Sequence, residues 1–263
     1  MRPQYKNPEH QHLNDKLPLV YGSNTDSSLN DLNDIYDLNG ENERKKFISK
    51  VYFILWIQLI FTSLFIGICN QVVEVSYFML SYPGVLLSTI SVIIIFISSL
   101  CLFCCNEKIR KKPYNWIYVI LFTICMTYLM GFVGLSMNTQ SLLLGGLITS
   151  FIFISLTIYA WQTKIDYTIY GNIILILLFG LILFGIIISF FDVTILNTIY
   201  AVCGSILFSF YIVYDTQLIV GGKHRSIQFR TNDFAIASIS LYLDIINLFL
   251  FIMDILNGGS SSR

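Results

Sequence analysis

Along this chain, apolar and polar positions segregate into long blocks rather than into the short periods of a soluble fold. From Phe47 onward seven apolar runs follow one another, near 47–70, 84–105, 114–137, 141–161, 169–191, 194–220 and 234–256. At about 1.5 Å per residue, a run of about 20 residues crosses a hydrocarbon core of about 30 Å. Backbone groups in lipid must be satisfied within the segment, so runs of this length predict helices. The connections are short, and turn formers punctuate several of them (Pro83-Gly84, Pro113, Gly221-Gly222). The last run is the least apolar, with Ser238, Ser240, Asp244, Asn247 and Asp254 inside it. A full span is favoured there over a re-entrant hairpin. The pattern therefore predicts an all-α membrane protein with seven transmembrane helices over 47–257, followed by a short flexible C-terminus, 258–263.

Residues 1–46 differ in kind. They hold six Lys/Arg, eight Asp/Glu and seven Asn, too polar a mixture to offset the entropy of ordering, and they predict a disordered polar tail. The first apolar run is too long for the core of a cleavable signal. Composition agrees with the membrane reading: 55% of the 263 residues are hydrophobic and 12% charged, mean hydropathy is +0.69, and soluble domains carry about 25% charged residues. The formal net charge is zero, which argues against a nucleic-acid partner.

The placement of the basic residues sets the expected orientation. With the tail inside, the cytosolic segments hold Arg2, Lys6, Lys16, Arg44, Lys45, Lys46, Lys50, Lys108, Arg110, Lys111, Lys112, Lys164, Lys223, Arg225 and Arg230, and the opposite side holds only Arg263. A cytosolic N-terminus excludes the topology of a G-protein-coupled receptor. The last run contains no Lys for a retinal Schiff base, and His10, His12 and His224 all lie outside the spans. A Ser–His protease or a His-ligated metal within the membrane is therefore not expected. The six Cys lie in or beside apolar runs, which makes buried thiols the default and a disulfide framework unlikely to be the organising principle. Cys104-Cys105 beside the basic cluster Lys108–Lys112 admit S-acylation, and the cluster itself admits anionic-lipid binding. Gly131-x-x-Gly134 is read as close helix packing.

Candidate chemistry rests on acids. Within the cores of the runs only Asp215, Asp244 and Asp254 are ionisable acids, and no Lys or Arg accompanies them. An intramembrane carboxylate normally has a partner or a water-filled cavity. Asp215 lies six residues before Gly221 and Asp244 ten residues into the next run, depths of roughly 9 and 15 Å from a shared turn. On antiparallel neighbours the two acids meet and titrate as a coupled pair; capping within each helix is the alternative. Ser240 and Asn247 share the Asp244 face, and Ser209 with Ser205 forms a polar stripe on the preceding run, either as pore lining or as helix packing. Asp254 is placed at the membrane interface. With no basic partner at that depth, Asp215 and Asp244 must be neutral, share a proton or face a cation.

With these residues in view the chain resembles the Bax-inhibitor/Lifeguard family, most closely its Lifeguard branch. The likeness runs from Arg44-Lys45-Lys46-Phe47-Ile48-Ser49-Lys50-Val51-Tyr52 through Cys104-Cys105, Pro113-x-Asn115 and Gln162-Thr163-Lys164-x-Asp166-Tyr167-Thr168. Its most specific parts are Tyr214-Asp215-Thr216-Gln217-Leu218-Ile219-x-Gly221 and Leu241-Tyr242-Leu243-Asp244-Ile245-Ile246-Asn247-Leu248-Phe249. The resemblance implies a seven-helix fold and a pH-sensitive calcium leak of internal membranes (endoplasmic reticulum or Golgi rather than plasma membrane), with suppression of cell death in animal members. It implies that the acids matching Asp215 and Asp244 are the sensing pair, and, since calcium wants about six to eight oxygens, that they hold the ion only in transient passage, with Asp244 on its path. It implies no cofactor and no enzymatic activity; the partners are calcium ions, the lipid bilayer and other membrane proteins. Bacterial members carry a second-helix arginine that latches the pair, whereas residues 84–105 here hold no basic residue. The tail also differs, being Asn/Asp-rich.

Two rival functions are weighed against the leak. A non-conducting scaffold would bind channels or death-pathway proteins through its cytosolic loops. An intramembrane aspartyl protease also uses Tyr-Asp on its sixth helix, as in Tyr214-Asp215, but resembles Gly-x-Gly-Asp on the seventh, where this chain reads Leu241-Tyr242-Leu243-Asp244. It also needs a later Pro, and the last one here is Pro113.

Overall fold

The structure is a computed structural model describing residues 25–104, 113–191, 193–222 and 225–260. The described residues form α1 (Thr25–Gln71), α2 (Val73–Leu80), α3 (Tyr82–Cys104), α4 (Tyr114–Gly134), α5 (Thr139–Gln162), a 3-10 turn (Tyr167–Tyr170), α6 (Gly171–Ile188), α7 (Thr194–Val220) and α8 (Phe234–Ser260), with no strand among them. Seven segments are long and apolar enough to cross a membrane: Gly40–Gln71, Tyr82–Ser99, Tyr114–Gly134, Thr139–Gln162, Tyr167–Ile188, Thr194–Val220 and Phe234–Asn257. The all-α seven-span architecture is that expected. The weakest run is a continuous helix, not a re-entrant hairpin.

Two elements were not anticipated. The short helix α2 fills the connection between the first two spans, where Ser76 Oγ donates to Cys69 O at 2.6 Å and ties it back to α1. In addition, residues 25–46, expected to be unstructured, continue α1 toward the N-terminus. The reason is cooperative: once a long apolar segment has supplied the nucleus, each added residue gains one hydrogen bond for one backbone fixed, instead of one bond for several. The compact membrane unit begins at Arg44. Residues 1–24, the basic cluster Lys108–Lys112, Cys105, His224 and Arg263 lie outside the described residues, as do the side chains of Cys101 and Cys104 and of residues 258–263.

The bundle is organised around α8. Of its span, 67% is buried, against 11% for α5, and Ile239, Leu241, Tyr242, Leu248 and Met253 are wholly enclosed. Lipid tails are as apolar as leucine, so such packing must come from close contact rather than from the hydrophobic effect. Small residues provide it. A Cβ on Gly204 of α7 would land on the Phe251 ring, and one on Gly145 of α5 on Met253 Sδ. Gly131 and Gly134 of α4 receive Phe65 and Ile66 of α1 in the same way, as their spacing predicts. Of the thiols whose side chains are described, Cys69 and Cys125 are buried; Cys203 is exposed, contrary to expectation, because its place on α7 faces outward, between buried Ala201 and Gly204.

Candidate functional site

The α7–α8 hairpin builds the site. Gly221 and Gly222 have φ of 60° and 112°, a backbone region that L side chains rarely occupy, and they end α7 abruptly so that the chain can return as α8. This antiparallel return brings Asp215 and Asp244 together: both are buried, at 4% and 5% exposure, and their carboxyls lie within hydrogen-bonding reach of each other. Ser240 Oγ, one turn before Asp244 on α8, donates across to Asp215 Oδ2. Asp244 Oδ2 is buried with no hydrogen-bond partner among the described residues. Among the described residues Tyr211 and Tyr214 of α7 are titratable neighbours, and no lysine, arginine or histidine acts on either acid.

Not every expected residue joins the pair. Asn247 donates to Leu243 O of its own helix at 2.8 Å. Ser209 donates to Ser205 O at 2.8 Å and, with Ser205, lines a separate crevice of about 280 Å³ against Leu248 and Ile252. Both are back-bonded to the carbonyl four residues earlier, the local option open to short polar side chains in helices. Asp254 is exposed near the end of α8.

The structure adds a polar layer on the opposite face of α8. Thr62 Oγ1 of α1 lies 2.7 Å from Tyr242 OH and 2.9 Å from Thr127 Oγ1 of α4, and Gln58 Nε2 donates to Thr123 Oγ1 at 2.8 Å. Its signal was present in the sequence as two matched pairs at i, i+4 inside apolar runs: Gln58 with Thr62 and Thr123 with Thr127. Two residues apart on α8, Tyr242 and Asp244 point to opposite sides.

The hairpin end is held by a third set of contacts. Arg44 donates from Nε to Val220 O at 3.1 Å, from Nη2 to Leu218 O at 2.6 Å, and from Nη1 to Phe229 O, thereby capping the orphan carbonyls of α7. Arg225 does the same for α5, with Nη2 donating to Thr163 O at 2.8 Å. Gln217 clasps the 163–168 connection: its Nε2 donates to Ile165 O at 3.0 Å and its Oε1 accepts from Tyr167 N at 2.8 Å. Asp166 accepts from Thr168 N (3.0 Å), Thr168 Oγ1 (2.6 Å), Ser226 N (2.8 Å) and Ser226 Oγ (2.8 Å). Burial alone would push the Asp166 carboxyl up, but these donors outweigh it and hold it down at about 2. Lys50 Nζ sits 3.3 Å from the Phe234 ring centroid. Basic residues legible in the sequence only as orientation signals therefore also fasten helix ends.

No group of three or more His, Cys, Asp or Glu able to hold a metal occurs among the described residues. A cation at this site would meet the two carboxylates, Ser240 and water, too sparse a shell for tight storage of calcium.

The hairpin holds the most specific parts of the sequence resemblance, and the clasped 163–168 connection and the Arg44 cap lie in other segments that carry it. Comparison with known proteins agrees with that likeness. The family described as "Inhibitor of apoptosis-promoting Bax1" matches residues 44–262, starting at the residue where the compact unit starts. The chain is 32% identical to Protein lifeguard 3 of Homo sapiens over 217 residues, covering 81% of this chain and 68% of that protein. It is 27% identical to Protein lifeguard 3 of Mus musculus over 246 residues, 91% and 78% of the two chains. To Bax inhibitor 1 of Schizosaccharomyces pombe it is 33% identical over 214 residues, 81% and 76% of the two chains. The acid-bearing hairpin thus sits in a chain that belongs to the Bax-inhibitor/Lifeguard family.

Proposed function

We propose that this multi-pass membrane protein is a pH-sensitive calcium leak of internal membranes, endoplasmic reticulum or Golgi, that adjusts calcium homeostasis and restrains cell death; for the last of these the support is the description of its family as inhibitors of apoptosis-promoting Bax1. The observation that carries this reading is the buried Asp215–Asp244 pair, which among the described residues has an unpartnered oxygen on Asp244 and no basic side chain acting on it. Two carboxylates in a low-dielectric bundle cannot both be charged without a counter-ion. One proton bridging them draws α7 and α8 together; its loss leaves like charges that either separate the helices or admit a cation. The proton, rather than a second-helix arginine, is then the closing element. No chemical reaction is assigned to the pair. In the orientation set by the basic residues, the hairpin end faces the cytosol and the C-terminus the lumen, and a tag after Arg263 is protected when only the plasma membrane is permeabilised.

The test is calcium efflux from liposomes holding the purified full chain, measured from acidic to mildly alkaline pH. A leak that rises as protons are removed is expected. Absence of flux at every pH would replace the leak with a non-conducting scaffold acting through its loops.

A further inference from the structure

On the face of α8 away from the acid pair, residues of α1 (Trp56, Leu59, Ile66) and of α5 (Leu143, Leu147, Phe153) line the two sides of an open gap. The gap between them is a cleft of about 780 Å³, floored by Ile245, Ile246 and Phe249 of α8, within the ~300–1,000 Å³ range of sites that hold small ligands. Its walls carry Trp56, Leu147 and Ile154, exposed at 61%, 70% and 56%, so the cleft opens sideways toward the bilayer. Gly67 on one wall and Gly146 on the other are both lining residues, and a Cβ on either would meet nothing within 4 Å. This is open volume rather than tight helix packing.

Polarity along the cleft is ordered. Asn70 and Gln71 end α1, Thr139 begins α5, and all three line the cleft at that end of the bundle. From Gln71 back to Trp56 the wall runs fifteen residues, about 22 Å along the helix, more than the ~15 Å that one leaflet contributes to a ~30 Å hydrocarbon core. Along that length the lining is apolar, with hydroxyls only where Thr62, Ser63, Thr149 and Ser150 lie. Thr149 and Ser150 are satisfied by Gly145 O and Gly146 O, each at 2.7 Å. None of the lining residues is charged.

We propose that this cleft is a binding site for one membrane glycerolipid with an uncharged or zwitterionic headgroup, its acyl chain lying along α8 between α1 and α5 and its ester or headgroup region at Asn70, Gln71 and Thr139. The apolar length and the polar end follow the order of a lipid entering from the bilayer. The absence of any basic side chain among the lining residues selects against anionic headgroups. The bound chain presses on Ile245 and Ile246, the two residues that follow Asp244, and so takes part in holding the helix that carries the acid pair. This assignment does not depend on conduction.

Native mass spectrometry of the full chain tests it, after reconstitution with equal phosphatidylcholine and phosphatidylglycerol and extraction at detergent levels that strip loosely held lipid. The wild-type chain is expected to keep one phosphatidylcholine per chain. Gly146→Leu and Gly67→Leu, which fill the open volume from opposite walls, are each expected to lose that adduct. Gly180→Leu keeps it, since Gly180 on α6 also faces open space but lies outside the cleft. No retained lipid on the wild type, a retained preference for phosphatidylglycerol, or equal retention in both cleft-filling variants would overturn the proposal. A dimer in place of the lipid adduct would also overturn it and give the cleft to a second copy. The wild-type measurement decides by itself should the leucine variants fail to fold.

Discussion

Two aspartate environments in this chain are built on opposite plans. Asp166, in the connection between α5 and α6, is met by four donors from Thr168 and Ser226. Those bonds are made to the charged form, and the carboxyl stays down at about 2. Asp215 and Asp244, two turns deeper in α7 and well inside α8, have one serine hydroxyl, which donates to Asp215, and each other, and one Asp244 oxygen has no donor among the described residues. Donor supply separates the two: the first carboxylate has its donors at neutral pH, and the second environment has an oxygen with none among the described residues, which is why we propose that a proton or a cation completes it.

The largest expected effect strikes the pair. Asp244→Asn removes the orphan charge while keeping the side-chain shape, and calcium efflux from proteoliposomes should fall about tenfold, equivalent to ~1.4 kcal/mol on the barrier to passage. Unchanged efflux from a well-folded variant would take Asp244 off the path. Next comes Asp215→Asn, which should flatten the pH dependence of efflux more than it lowers the maximum; a wild-type pH profile would break the shared-proton account.

Asp166→Asn probes the other environment. It places an amide donor against the Ser226 N–H, so thermal stability in detergent should drop by about 1 kcal/mol after allowing for the site's partial exposure, with faster hydrogen exchange at Ser226 and Ile227. The sign with pH follows from the depressed value. The stabilisation is fully present above the ordinary 3.8 and disappears as pH falls through about 2, so the two proteins should converge in acid. Should this variant instead abolish the pH response of efflux, the division between the two environments would fail. The smallest effect is expected for Tyr242→Phe, which removes one satisfied hydroxyl from the layer behind α8; about 0.6 kcal/mol of stability should be lost, with efflux and its pH dependence unchanged.

The spans were legible because a bilayer imposes one strong constraint, length of apolar run, and the ends found lie within a few residues of those expected, seven at most. The proximity of Asp215 and Asp244 was legible because a hairpin converts sequence distance from Gly221 into depth. What escaped was lateral. Hydropathy reports how deep a residue lies but not which neighbour it faces, so Ser209 and Asn247 were grouped with the acids although each bonds its own helix. For the same reason Thr62, Thr127 and Tyr242 were not assembled, since their meeting depends on how α1, α4 and α8 are rotated. Arg44 and Arg225 were read as charges facing one side of the membrane; their capping role requires knowing which carbonyls end nearby.

One consequence concerns how the protein is made. Both acids and the serine that donates to Asp215 lie on two consecutive helices joined by the turn that aligns them, Asp244 following Asp215 by 29 positions. A hairpin released into the bilayer as a unit carries its carboxyls already facing one another, so neither has to cross the hydrocarbon as a lone charge. The glycines at 221 and 222 therefore serve biogenesis as well as the finished site: a substitution that stiffens this turn would show first as failed membrane insertion of the last two helices, before any transport could be measured.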